Sequence, residues 1–192
     1  MTRLATAMVW LLAGIGAATC AGGLWFLANG VSARPAPSAA EVFAAHRLRA
    51  LAIPSVAAAR TNPVPDSPEV IAEGLAHFAD HCASCHANDG SGQTTMGQGL
   101  SPRAPDLRLP ATQRLSDGTL FYIIENGVKL TGMPAWATGT ADGEAASWRL
   151  VRFIRHLPSL SEAELQRMQS LNPKSADEWH EAEEERKFLE GR

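Results

Sequence analysis

The chain has 192 residues, with 17 Lys+Arg against 20 Asp+Glu, a formal net charge of −3. That balance lacks the basic excess of a nucleic-acid-binding domain, so no nucleic-acid partner is expected. Three cysteines are too few for a disulfide-stapled scaffold.

From Leu4 to Ala33 no residue is charged, and Arg3 and Arg34 bound the run. Its apolar centre, Ala7 to Ala28, matches the ~20 residues that span a bilayer. It exceeds the roughly 7–15 apolar residues of a cleaved signal peptide. Val31-Ser32-Ala33 would nevertheless serve as a small-residue cleavage site. Residues 1–33 therefore read as a transmembrane anchor or signal, with the anchor favoured, and Arg3 marks a positive inner end. Cys20 reads as a packing or lipid-facing residue.

Residues 34–66 form a Pro/Ala-rich linker, with Pro35, Pro37, Pro54, Pro63 and Pro65, and four arginines against Glu41 and Asp66. A short helix is expected from Ala39 to Leu51, with Val42, Leu48 and Leu51 on one side. The composition predicts a semi-rigid tether. His46 has no evident partner.

Ser67-Pro68-Glu69 reads as a helix start: a capping serine, a proline in the first turn and an acid at the positive dipole end. The helix should run to about His81, with Val70, Ile71, Leu75 and Phe78 apolar. Gly74 inside it costs about 1 kcal/mol relative to alanine, which points to a close approach by another helix. The expected partner is the helix from about Glu144 to His156, stopped by Pro158, so that Phe78 meets Leu150 or Phe153. Between them, Ser116 to Gly127 reads as a capped helix closed by glycine. Asn88 to Ala111 reads as an irregular loop, and no segment alternates like a strand.

The first of these helices runs into Cys82-Ala83-Ser84-Cys85-His86. Cysteines three apart share one face of a helical turn, where both sulfurs can reach the two vinyl groups of one porphyrin. The following histidine then offers its imidazole to the iron. A zinc site with His77 or His81 as fourth ligand fits less well. Adjacent Cys85 and His86 close a tetrahedron poorly, and no second CxxC follows. A thioredoxin-like pair would need a βαβ context, and a disulfide would leave His86 idle. The expectation is one covalent haem c, which would also complete a core otherwise thin for so small a domain.

The second axial ligand is a methionine or absent. Gly132-Met133-Pro134-Ala135-Trp136 is a stiff loop well beyond His86, with enough chain between to reach the other haem face. Met96 is the rival, only a few residues past His86 in a polar loop. His77 and His81 read as surface residues.

Residues 159–192 read as an acidic helical tail. Ser161 to Glu164 and Ser175 to Glu178 are capping boxes. Asp177 to Glu190 holds seven acids, with Arg186 and Lys187 as its bases. The tail reads as a solvated marginal helix, with an acidic docking arm anchored by Trp179 and Phe188 as the sharper alternative.

Residues 67–158 resemble a class I cytochrome c of the bacterial single-haem type. Gly74, Phe78, Cys82-Ala83-Ser84-Cys85-His86, Ala104-Pro105-Asp106-Leu107, Gly132-Met133-Pro134 and Trp148 to Leu157 carry the resemblance. It implies a mostly α, cytochrome c-like fold around one covalent haem, preceded by a transmembrane helix and followed by the acidic tail. It implies Pro105 orienting His86 through its carbonyl, Met133 in the distal position, and Gly127 and Trp136 near the haem edge. The implied cofactor-binding set is Cys82, Cys85, His86, Pro105, Met133 and Trp136, with His86 and Met133 on the iron.

The expected function is membrane-anchored electron transfer, with the haem domain in the periplasm. Expected partners are a quinol-oxidising complex, a terminal oxidase or a dehydrogenase. No nucleophile, catalytic base or phosphate loop is found, so a carrier rather than an enzyme is expected. The alternatives are a haem-bearing subunit of a larger oxidoreductase, and a haem sensor or peroxidase with an open iron.

Overall fold

The computed structural model describes residues 3–29, 32, 35–174 and 176–190. Val31 and Ala33 of the candidate cleavage site, Arg34 and the capping Ser175 lie outside the described residues, as does the side chain of Trp179. The chain divides into two units, residues 1–36 and 37–192.

The first unit is one helix, α1 (Arg3–Asn29), whose described side chains are almost all exposed. By length and composition it can cross a membrane. Cys20 is an exposed free thiol on it.

The second unit is helical throughout, with no strand among the described residues. In chain order its helices are α2 (Ala39–Ala52), α3 (Ser55–Ala58), α4 (Pro68–His81), α5 (Ala83–His86), α6 (Thr95–Gly99), α7 (Pro110–Gln113), α8 (Asp117–Asn126), α9 (Ala141–His156), α10 (Glu162–Leu171) and α11 (Ala176–Leu189). Their starts are written locally. Ser67, Ser116, Thr140 and Ser161 each accept a hydrogen bond from the third backbone N–H of the helix they begin.

The core is the crossing of α4 on α9. Gly74 makes the crossing possible, because a Cβ there would meet the Arg149 carbonyl oxygen at 2.5 Å. Beyond it, Phe78 packs on Phe153 with ring centroids 5.2 Å apart, as the apolar spacing of the two helices predicts. On the other side of α9, Trp148 stacks on Phe121 of α8 at 4.0 Å. Burying these rings removes the largest apolar surfaces in the unit from water.

The core continues past both edges drawn from composition. The expected free tether is docked where it approaches α4: Asn62 Nδ2 donates to the Trp148 carbonyl (2.9 Å), and Arg152 donates to the Val64 carbonyl (2.8 Å). Arg60 pairs with Glu144 and lays its guanidinium over the Phe121 and Trp148 rings. Proline content set the expectation of a tether. These polar groups, which composition does not weigh, hold the segment down.

At the other edge, α10 packs on α4 and fully buries Met168. His156, the last residue of α9, pairs with Glu164 of α10 at 2.8 Å. Among the described residues α11 makes no extensive contact with another helix, and Phe188 on it is 83% exposed.

Candidate functional site

The pentapeptide Cys82 to His86 forms its own turn. The Cys82 N–H still donates to the Phe78 carbonyl, so the motif continues α4 with a change of direction, and α5 begins at Ala83. Directly after His86, Ala87 sits at φ 60°, ψ 158°, a conformation that glycine prefers, and the chain reverses there.

The reversed loop folds back to hold the turn. Thr94 Oγ1 donates to the Ser84 carbonyl (2.8 Å), and the Gly92 N–H donates to the His86 carbonyl (2.7 Å). Farther on, the Leu107 N–H donates to the Gly90 carbonyl (2.8 Å), which fixes the Ala104-Pro105-Asp106-Leu107 strip beside the motif. Arg108 clamps that strip from outside, donating to both Asp106 and Asp89.

Cys82, Cys85 and His86 open onto a cavity of about 480 Å³, within the range of cofactor pockets. Its walls are mainly apolar, with Phe78, Leu107, Leu120, Ile124, Leu150 and Ile154 prominent among them. Burial, with Cys85 close by, pushes the Cys82 thiol up to about 12, so the sulfur stays neutral. Burial also holds His86 below the usual imidazole range, while the Pro105 carbonyl pulls in the opposite direction. His86 is therefore neutral near pH 7, the form that binds a metal.

Met133 lies on the same cavity. Its loop is braced at three points: the Met133 N–H donates to Thr131 Oγ1 (3.1 Å), the Val128 N–H donates to the Met133 carbonyl (3.1 Å), and the Trp136 N–H donates to the Ile124 carbonyl (3.1 Å). Gly127 permits the approach. It adopts φ +65°, and a Cβ there would stand 2.6 Å from the Met133 carbonyl oxygen. Met96, the rival candidate, is 57% exposed and lies on another surface.

Trp136 also lines the cavity and meets the His81 ring edge-on at 5.4 Å. His77 and His81 thus form an aromatic rim at the end of α4, with their rings 4.9 Å apart. Among the described residues no group of three or more His, Cys, Asp or Glu is arranged to hold a metal ion. Thus Cys82, Cys85, His86, Pro105, Met133 and Trp136 all line one cavity, although they come from three stretches of chain.

Residues 69–154 match the family model described as cytochrome c oxidase, cbb3-type, subunit III. This segment is a c-type cytochrome domain. Such a domain carries covalently bound haem c with its iron and transfers electrons.

The cavity of the cytochrome domain fits that group on its own evidence. His86 Nδ1 is buried without a hydrogen-bond partner of good geometry, facing a proline carbonyl that acts on the ring. A ring held this way leaves Nε2 for the cavity. Two thiols, a neutral imidazole and a thioether in an apolar chamber are the donor set that haem c takes.

The cavity also has lining residues that the sequence reading did not assign to it. Pro37, Glu41, Val42, Ala45, His46 and Arg49, on or just before α2, face it. Their spacing is that of one helix face, a signal legible in the sequence once the cavity is known.

Proposed function

We propose that this chain is a membrane-anchored, single-haem c-type cytochrome that passes single electrons between redox partners outside the cytoplasm. The observation that carries the reading is the convergence of Cys82, Cys85, His86 and Met133 on one apolar cavity. Cys82 and Cys85 would hold the porphyrin through thioether links to its two vinyl groups. His86, kept neutral by burial and faced by the Pro105 carbonyl, would offer its imidazole to the iron. Met133, braced by Thr131 and by the glycine turn at residue 127, would offer its thioether to the same iron. When bound, haem c supplies a one-electron iron couple, and His/Met ligation raises its potential.

What the chain adds is positioning. Phe78 and Leu150 give the cavity apolar walls, and the two braced loops hold His86 and Met133 in position. Helix α1 is the anchor in this reading, residues 37–66 lead into the haem domain, and α11 stands off it. Haem is attached to such motifs outside the cytoplasmic membrane, which assigns the haem domain to the periplasmic side.

A second reading makes the chain a haem-bearing subunit of a larger oxidoreductase. The description of the matched family, a subunit of a cbb3-type cytochrome c oxidase, favours it. Purification from its native membrane in mild detergent separates the two readings. A carrier elutes alone, whereas a subunit elutes with a catalytic partner at fixed stoichiometry.

The test of the site is spectroscopic. The haem-loaded protein and Met133→Ala are compared oxidised, reduced, and reduced under carbon monoxide. The expected result is a low-spin wild type that does not take up carbon monoxide and a variant that does. Carbon monoxide binding by the wild type would sink the closed site and point to sensing or peroxidase chemistry.

A further inference from the structure

Helix α2 lies outside the segment that matches the cytochrome family, yet one of its faces looks into the haem cavity. Val42, Ala45, His46 and Arg49 follow the i, i+3, i+4, i+7 spacing of a single helical stripe. No residue of α2 is buried, and it makes no extensive contact with any other helix. A second cavity of about 320 Å³, bordered by His46, Arg49, Ala111 and Leu115, separates it from α7 and α8. This helix is held across open space, and the space it spans is the one the porphyrin takes.

Arg49 says what the contact is. It is half-buried, and burial alone lowers its proton affinity, with no acid acting on it. A guanidinium drawn out of water without a counter-charge is costly, so the position calls for an anion. The nearest acid on its own helix is engaged elsewhere: Glu41 Oε2 accepts the Ser38 N–H at 2.7 Å in the capping box that starts α2. The other charged or titratable groups on the cavity wall are Arg103, His46, His81 and His86 with the two thiols, none of them an acid. Haem c brings two propionate carboxylates, and arginine pairs carboxylates through two parallel N–H···O bonds.

We propose that α2 is a strap over the haem edge and that Arg49 pairs with a haem propionate, with Val42 and Ala45 covering the porphyrin rim. The inference rests on the haem placement of the preceding section. It extends the haem site to a segment that precedes the cytochrome domain.

The test uses the full-length, haem-loaded chain and its Arg49→Gln, Arg49→Lys and Arg47→Gln variants. Arg47 lies on the same helix with its guanidinium over the Phe43 ring, so its replacement removes an equal charge away from the cavity. Two quantities are read: the midpoint potential and the propionate bending band in the resonance Raman spectrum. Losing a cation beside the haem favours the oxidised iron. Arg49→Gln should lower the reduced-to-oxidised ratio at fixed ambient potential about tenfold, which is about 59 mV for a one-electron couple.

The Raman band should move in both Arg49 variants, because lysine keeps the charge and loses the two-pronged bond. Arg47→Gln should leave both quantities unchanged. Unmoved potential and band in Arg49→Gln, or an equal shift in Arg47→Gln, would overturn the strap. Failure of the underlying haem placement looks different: haem would remain covalently attached in a Cys82→Ser, Cys85→Ser double variant.

Discussion

Gly74 of α4 and the Arg149 carbonyl of α9 approach so closely that a single added methyl has no room. A Cβ on Gly74 would stand 2.5 Å from that oxygen and 2.9 Å from the Phe153 Cβ. Both obstacles are on or next to backbone and cannot swing aside. Gly74→Ala gains about 1 kcal/mol of helix propensity and loses the crossing. The expected net effect is destabilisation of about 1–3 kcal/mol, read as a lower denaturant midpoint of the haem-loaded protein. An unchanged midpoint would show that α4 and α9 can part without cost.

Met168 makes α10 part of the same core. It is fully buried at the α4–α10 contact and is not a wall of the haem cavity. Met168→Ala should cost about 2–5 kcal/mol in chemical denaturation while leaving the haem absorption spectrum as it was. A spectrum that changed with the midpoint would mean that α10 supports the ligands as well as the fold.

The two thiols act separately on the porphyrin. Cys82→Ser and Cys85→Ser should each retain haem through one remaining thioether, and the double variant should retain none. Mass spectrometry of the denatured chain reads the outcome directly. Haem loss in either single variant would show that one linkage cannot hold the group during maturation.

Asp106 gives the domain an acid-sensitive link. The hydrogen bonds from Arg108, opposed in part by burial, hold its carboxyl below the usual aspartate range. Its folded-state pKa is thus lower than its unfolded value, so on acidification the unfolded chain takes up the proton first. The contribution is complete above the ordinary carboxylate pKa, near 3.9, and is lost as pH falls through the folded value. Asp106→Asn should therefore be less stable than wild type at pH 7, with the gap closing toward the acid end of a denaturation series. A gap that persisted unchanged at the acid end would assign the loss to shape rather than charge.

Ala87 carries a conformational cost next to the proximal ligand. At φ 60°, ψ 158° an alanine is strained by about 1–3 kcal/mol, and glycine is not. Against glycine's entropic penalty of roughly 0.5–1 kcal/mol, Ala87→Gly should still raise the thermal midpoint of the haem-loaded protein. A lowered midpoint would mean that the alanine side chain packs usefully there.

The sequence by itself determined the attachment motif and the longer helices, while the short helices α3, α6 and α7 fell in stretches read as linker or loop. Cys82 to His86 is a local motif whose meaning depends on spacing within one turn. The serine and threonine caps act within three residues of themselves, and the glycine that closes α8 acts within its own turn. The closeness of α4 to α9 was also legible, because an unfavourable Gly74 inside a good helix asks for a neighbour. Preferring Met133 to Met96 rests on the stiffness of its loop; Met133 lines the cavity, and Met96 is exposed away from it.

Tertiary structure alone decided where amphipathic faces go. The apolar side expected of α2, Val42 with Leu48 and Leu51, does not form a packed face: Leu48 and Leu51 are exposed, and Val42, Ala45, His46 and Arg49 face the cavity. In the same way the proline-rich stretch before α4 looks free by composition. It is held by Arg60, Asn62 and Arg152, whose partners lie far along the chain. Met168 sits in a segment read as an acidic tail, because the acids dominate its composition, and it is the buried side chain of α10. Long-range contacts of this kind depend on which surfaces remain after the nearest helices have packed, and that remainder is set only when the chain is folded.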